Sequence, residues 1–171
     1  MAEVGILDPE ARVELLDGEI WDMSPIGDPH EACVDRLTMM FVPQVAGAAI
    51  VRVQSSVRIS GISVPQPDLA LLVSRPDFYV SGKPTPSDIH LLIEVADTTL
   101  VRDRDEKGPR YAESGIVEYW IVDLTSNQVL VYADPDDGRF TTSSIAKPGE
   151  VLSPRSLPSV SVAVSEVMGL T

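Results

Sequence analysis

Positive charge is scarce in this chain: 13 lysines and arginines stand against 26 aspartates and glutamates, a formal charge of −13. A total of that sign exerts no long-range pull on a polyanion or an acidic membrane surface, so any contact with nucleic acid has to come from a local cluster of cations. Cysteine is nearly absent. The single thiol, Cys33, cannot form an intramolecular disulfide, and its place in a helical stretch reads as a small buried side chain in a reducing, cytoplasmic setting. Long apolar runs are missing too. Nowhere do about 18 consecutive apolar residues occur, which excludes a transmembrane helix. The opening MAEVGILDPEARVELLDGEI lacks the basic and then apolar regions of a secretory leader. There is no internal repeat and no low-complexity tract.

What is present has globular composition, with 44% hydrophobic and 23% charged residues over 171 positions. That is enough for one domain spanning 1–171 with a sizeable core, and too little for two ordinary ones. Asp17-Gly18 in VELLDGEIWDM is tight-turn chemistry between two short apolar-rich runs and predicts an opening hairpin. GDPHEACVDRLTMMFVPQV predicts a helix with Asp28 as N-cap, Pro29 at the first helical position, and Val34, Leu37, Phe41 and Val45 on one face. Strands are expected at AAIVRVQSSVRIS, PDLALLV, HLLIEVA, VEYWIVDL, QVLVYAD and RFTTSSIA, from their β-branched content and the turn signals between them. Residues 74–88, rich in proline, read as a long exposed connection, and VAVSEVMGL as a closing helix. Residues 101–114 read as a helix with Gly108-Pro109 inside it. Either Pro109 is the first helical residue, or it leaves the Asp105 carbonyl unpartnered and kinks the helix there.

HLLIEVA carries an acid where an apolar residue belongs. Glu94, among Leu91, Leu92, Ile93 and Val95, must be paired, bind a metal or reach water. In an antiparallel pair the start of one strand lies beside the end of the next, so pairing of PDLALLV with HLLIEVA would bring Asp68 and Glu94 together. Residues two apart share a face, which puts small Ala70 beside Asp68 and small Ala96 beside Glu94, leaving room for something bound. Two carboxylates with backbone carbonyls and water are what Mg²⁺ takes. Plainer roles exist for each residue. Asp68 could cap the turn after Pro65-Gln66-Pro67, and Glu94 could form a buried ion pair with Arg102 or Arg104. Gln54 could orient water or a phosphate oxygen, or bond only to backbone. Glu19, just after the Asp17-Gly18 turn, is either a third acid or solvent-facing, and His30, near the helix start, has the position of an ordinary exposed histidine.

Pro67-Asp68 opening one strand, Glu94 on a later one and a lysine resemble the PD-(D/E)XK nuclease core. In that core the acids hold Mg²⁺, and the lysine positions the attacking water and stabilises the pentavalent phosphate. The lysine of the pattern stands two residues after the glutamate, and here that residue is Ala96. The next lysine is Lys107, and RDRDEKGPRYAESGIVEYWIVDL resembles the Uma2 family of restriction-endonuclease-like proteins, in which the lysine lies on the following helix. ELLDGEIWDMSP, His30, VRVQSSV, PQPDLALL and IEVADTT resemble it as well, from Val13 to near Leu157.

The resemblance implies an α/β (α+β) restriction-endonuclease-like core with a mixed, mainly antiparallel central sheet flanked by helices. It implies an endonuclease that hydrolyses phosphodiester bonds with Mg²⁺ or Mn²⁺, in which Asp68, Glu94 and the Val95 carbonyl hold the ion and Lys107 activates or orients water. DNA is the implied substrate, a homodimer the implied assembly, and a further helical segment is implied ahead of MAEVGIL. The charge of −13 favours an alternative, a non-catalytic homodimeric or partner-binding module of the same fold. A nuclease needs a basic rim, which Arg52, Arg58, Arg102, Arg104 and Arg110 supply only if they gather on one side. A small-molecule phosphohydrolase using the same metal is a third class.

Overall fold

Asp17 and Gly18 both take the left-handed backbone, at φ 51° and 81°, that a two-residue hairpin turn demands. They join β1 (Val13–Leu16) to β2 (Glu19–Asp22) in a register that sets Glu14 opposite Trp21 and Leu16 opposite Glu19. The structure, a computed structural model, describes residues 12–23 and 25–170. The expectations for the first 11 residues and for a segment ahead of them fall outside those described. Helix α1 (Asp28–Val45) follows, with Cys33, Val34, Leu37, Phe41 and Val45 on its buried face as the spacing predicts. Its cap is Gly27, not Asp28. Glu31 N donates to Gly27 O at 3.1 Å, so Asp28 already lies in the first turn, where its charge and that of Glu31 favour the helix end.

Six strands form the central sheet in chain order: β3 (Ala49–Val53), β4 (Leu69–Val73), β5 (Ile89–Ala96), β6 (Glu118–Asp123), β7 (Gln128–Asp136) and β8 (Arg139–Ala146). Neighbours run antiparallel except β5 and β6, which are parallel, so the sheet is mixed and mainly antiparallel. A parallel pair needs a crossover rather than a hairpin. Here it is α2 (Leu100–Arg102), a π-turn (Asp103–Lys107) and α3 (Gly108–Glu113). The expected strand AAIVRVQSSVRIS is shorter than its β-branched run. It stops at Val53 because Gln54 adopts φ 42° and donates its backbone N–H to Asp68 O at 2.9 Å, turning the chain out of the ladder.

Each face of the sheet buries its own cluster. On one side α1 and the closing helix α4 (Val164–Met168) cover Leu71, Ile93, Val95 and Trp120, with a short β9 (Val151–Leu152) and β10 (Val162–Ala163) pair at the margin. Phe41 is fully buried there with its ring 6.4 Å from that of Trp120, and burial of a side chain of that size contributes about 1.5–3 kcal/mol. Cys33 lies in the same cluster, where burial pushes its thiol up to about 11, so it is an inert packing group. On the other side the crossover covers Ala70, Leu92, Ala96, Tyr119 and Ile121.

Glu118 ties the chain beyond β8 to the sheet, accepting from Trp120 Nε1 at 2.8 Å and from Arg155 N at 2.7 Å. Burial raises its carboxyl above the ordinary value, against those two donors and the Arg155 charge. A raised carboxyl contributes stability fully below the ordinary value of about 4.3 and loses it as pH climbs through the folded-state value. Urea unfolding of the parent and of Glu118→Gln should therefore give a difference that moves against the parent as pH rises from about 4 to 7. A difference constant across that range would mean that Glu118 is hydrated.

Candidate active site

Strand parity brings the two acids together. Leu69 pairs with Ile93, so Asp68, one residue earlier, stands across from Glu94, on the face where Ala70 and Ala96 are buried. Asp68 Oδ2 accepts from Val95 N at 2.8 Å, and Oδ1 lies 3.0 Å from His30 Nε2. Gln54 Nε2 reaches the same Oδ1 at 3.5 Å, a marginal contact. Glu94 Oε1 accepts from Lys107 Nζ at 2.9 Å and from Tyr111 OH at 2.8 Å. No hydrogen bond among the described residues reaches its Oε2.

Lys107 is aimed inward by the π-turn. Pro109 has no N–H to give, and Gly108 donates to Asp103 O five residues back, which widens the turn by one residue. Pro109 sits in the first turn of α3, directly after Gly108, so the first of the two expected placements holds to within one residue. Asp103 and Lys107, four apart, consequently both face the sheet and are buried at 4% and 5% exposure. Tyr119 OH donates to Asp103 O at 3.1 Å and holds the turn down.

The hairpin closes the site from above. Lys107 Nζ lies 3.1 Å from Glu14 Oε2, and Glu14 Oε1 accepts from Arg102 Nη2 at 2.8 Å. Arg102 also donates to Asp22 O at 3.0 Å, with its guanidinium 5.0 Å from the Trp21 ring centroid. Glu14, His30, Asp68, Glu94, Asp103 and Lys107 all line one cavity of about 250 Å³.

The electrostatics follow from burial and crowding. Desolvation pushes the Glu94 carboxyl well above its usual range; Lys107 opposes this, while Asp103, Asp68 and Glu14 add to it. Asp103 is raised for the same first reason, with Lys107 and a 2.5 Å bond from Thr99 Oγ1 working against it. Burial alone would lower Lys107, but Glu94, Glu14 and Asp103 outweigh it and hold the ammonium above its ordinary value. His30 is raised by its hydrogen bond to Asp68, against burial.

Of the residues singled out from sequence, Asp68, Glu94, Val95 and Lys107 border the cavity and Gln54 touches it only through Asp68. Glu19 does not. It shares a hairpin face with Glu14 but stands at the turn and is exposed, so the acid that the hairpin delivers is Glu14. Arg102 and Arg104 are not partners of Glu94, because Arg102 is taken by Glu14 and Arg104 by Asp105. His30 is no exposed surface residue, with its side chain 12% accessible. Asp103, Tyr111 and Glu14 were not foreseen. Glu14 left a trace in VELL, where it alternates onto the same face as the buried Leu16.

Whether the cavity suits a divalent cation depends on its donor set. Five acids and three permanent cations line the cavity, leaving −2 with His30 neutral and every acid ionised. His30 Nδ1 is buried without a partner among the described residues, an atom that a water or ligand oxygen in the cavity would satisfy. No three His, Cys, Asp or Glu side chains are grouped to hold an ion alone among the described residues. Asp68 and Glu94 would be the carboxylates offered to an ion, and Mg²⁺ is one that takes one or two carboxylates and keeps water for the rest of its octahedron.

Comparison with known proteins bears on the family and the fold. Residues 2–165 match the Uma2 family, described as "Putative restriction endonuclease". A crystal structure from Anabaena variabilis ATCC 29413, described as "a putative nuclease belonging to DUF820", shares the fold at a TM-score of 0.77. It is 15% identical, and the alignment covers 98% of this chain and 95% of that one. No curated protein matches the chain.

Proposed function

Because the chain belongs to the Uma2 family of restriction-endonuclease-like proteins, we propose that it is a metal-dependent nuclease that hydrolyses phosphodiester bonds of DNA. The observation that carries this reading is the convergence of Asp68, Glu94 and a helix-borne Lys107 on one cavity. Asp68, Glu94 and the Val95 carbonyl are the groups that would hold Mg²⁺ or Mn²⁺. The ion supplies Lewis-acid polarisation of the phosphate and a more acidic water.

The chain's own residues do the rest. Val95 N and His30 fix the two oxygens of Asp68, so its carboxylate cannot rotate away from Glu94. Tyr111 and Lys107 anchor Oε1 of Glu94 and leave Oε2 toward the cavity. Lys107, kept cationic by its carboxylate neighbours, orients water and offsets charge on the phosphate oxygens rather than acting as a base. Glu14 shares that ammonium and sets where it points. Gln54 is left a supporting role at Asp68, and Glu19 none at the chemistry. A homodimer in a reducing cytoplasm belongs to the same proposal and rests on the resemblance and the lone buried thiol.

One observation favours a non-catalytic binding module instead. Three of the five arginines expected to form a basic rim are already paired with acids, Arg102 with Glu14, Arg104 with Asp105 and Arg110 with Asp17, which leaves Arg52 and Arg58. A cleavage assay separates the two. With Mn²⁺ or Mg²⁺ the parent should cut plasmid DNA, EDTA should stop it, and Asp68→Asn and Glu94→Gln should each lower the rate by about 10²-fold or more. Persistent cleavage in both variants would remove the site from the reaction. No cleavage by the parent with either metal, on duplex or single strands, would leave the binding module.

A further inference from the structure

The crossover that delivers Lys107 has a second flank. Arg104 and Gly108, each one residue beyond an inward-facing side chain, border a separate cavity of about 150 Å³ between α3 and the β7–β8 strands. Its walls are aromatic. Tyr132 and Phe140 line it with ring centroids 6.0 Å apart, each stacked within 6.1 and 6.2 Å of the fully buried Tyr119. The only charged side chains lining it are Arg104 and Arg139. Arg104 is held by both oxygens of Asp105, whereas the Arg139 guanidinium has no partner among the described residues. In a chain of charge −13 a free cation beside two half-exposed rings is a specific arrangement. Gly138, at φ 73° in the β7–β8 turn, and Gly108 keep the floor clear of side chains.

We propose that this cavity binds one unpaired nucleobase, stacked on Tyr132 and Phe140, with Arg139 over the ring or on its phosphate. The cavity, about 150 Å³ and open to solvent on one side, has room for a single aromatic ring. Aromatic side chains joined by arginine are the chemistry that holds single-stranded bases, and the planar guanidinium serves both the ring face and the phosphate. Asp105 and Glu113 stand close by, so stacking rather than phosphate attraction has to anchor the ligand. The biological sense of the site rests on the nuclease reading, as a place where a strand is gripped on the far flank of the crossover from Lys107. Its measurement does not.

Fluorescence anisotropy of a fluorescein-labelled single-stranded oligothymidylate, with the full-length chain in EDTA, tests it without any cleavage. The parent should bind single strands better than the same sequence in duplex. Tyr132→Leu should weaken binding by about 10-fold, within the span for loss of one base stack. Arg139→Glu, an exposed change that leaves the packing alone, should weaken it as well and should unfold at a temperature near the parent's, so a loss of binding there does not come from the stacking that Tyr132→Leu also removes from the core. Competition by thymidine 5′-monophosphate would identify a free-nucleotide site, and its failure to compete a site for a strand. No binding by the parent, or affinity untouched in both variants, overturns the proposal. Loss of the nuclease reading would appear separately, as binding without metal-dependent cleavage.

Discussion

Lys107→Met should cost the fold about 3 to 5 kcal/mol in chemical unfolding at neutral pH, the penalty for leaving a buried charge without its partner. The ammonium lies between Glu94 at 2.9 Å and Glu14 at 3.1 Å, with side chains 6%, 5% and 1% exposed, so water cannot replace it. Glu14 keeps Arg102, but Glu94 keeps only the hydroxyl of Tyr111. The cost should therefore fall mainly on Glu94. Adding Glu94→Gln to Lys107→Met should return much of the stability, because the second change removes the stranded charge, while cleavage stays lost in both. That split between stability and activity is what separates a site lysine from a solvated helix residue. A surface lysine would change stability by no more than about 0.5 kcal/mol, and that result would end the role given to Lys107.

The second large effect is stabilisation by metal. A cation that binds only the folded chain at about 100 times its dissociation constant adds about 2.7 kcal/mol. For a chain of this length each kcal/mol moves the unfolding midpoint by about 2–4 °C, so millimolar Mn²⁺ should raise it by roughly 5–10 °C. Asp68→Asn should abolish the increment. It keeps an acceptor for Val95 N and removes one of the charges that push Glu94 upward, so its metal-free midpoint should stay near the parent's. A parent midpoint indifferent to millimolar Mg²⁺ and Mn²⁺ would contradict the metal reading.

Much of the site followed from short-range rules. The parity of PDLALLV and HLLIEVA was sufficient to bring Asp68 beside Glu94, because a side-chain period of two leaves little freedom once the strands pair. The six strands and the helix of residues 28–45 were likewise readable, apart from the end of AAIVRVQSSVRIS, where Gln54 takes a backbone that its apolar neighbours do not announce. Lys107 came from family resemblance alone. Nothing in the pattern of RDRDEKGPR says that a turn five residues wide will point it at the sheet. Glu14 escaped, and His30 was read as an exposed histidine, for another reason: their partners lie 93 and 38 positions away along the chain, in Lys107 and Asp68. Only the closure of the hairpin and of α1 over the sheet end brings them into contact, and that is tertiary packing.

A side chain on a strand is addressed by parity, while one on a helix is addressed by phase. The wide turn at Asp103–Lys107 adds one residue to that phase count. Removing a single residue between Thr99 and Lys107 without closing the wide turn would rotate the lysine by about 100° about the helix axis, out of reach of both carboxylates. A lysine at position 96 would be immune to such a slip. Carried on the crossover, it is exposed to every insertion and deletion there, so the length of this segment is as much a part of the site as the residues that line it.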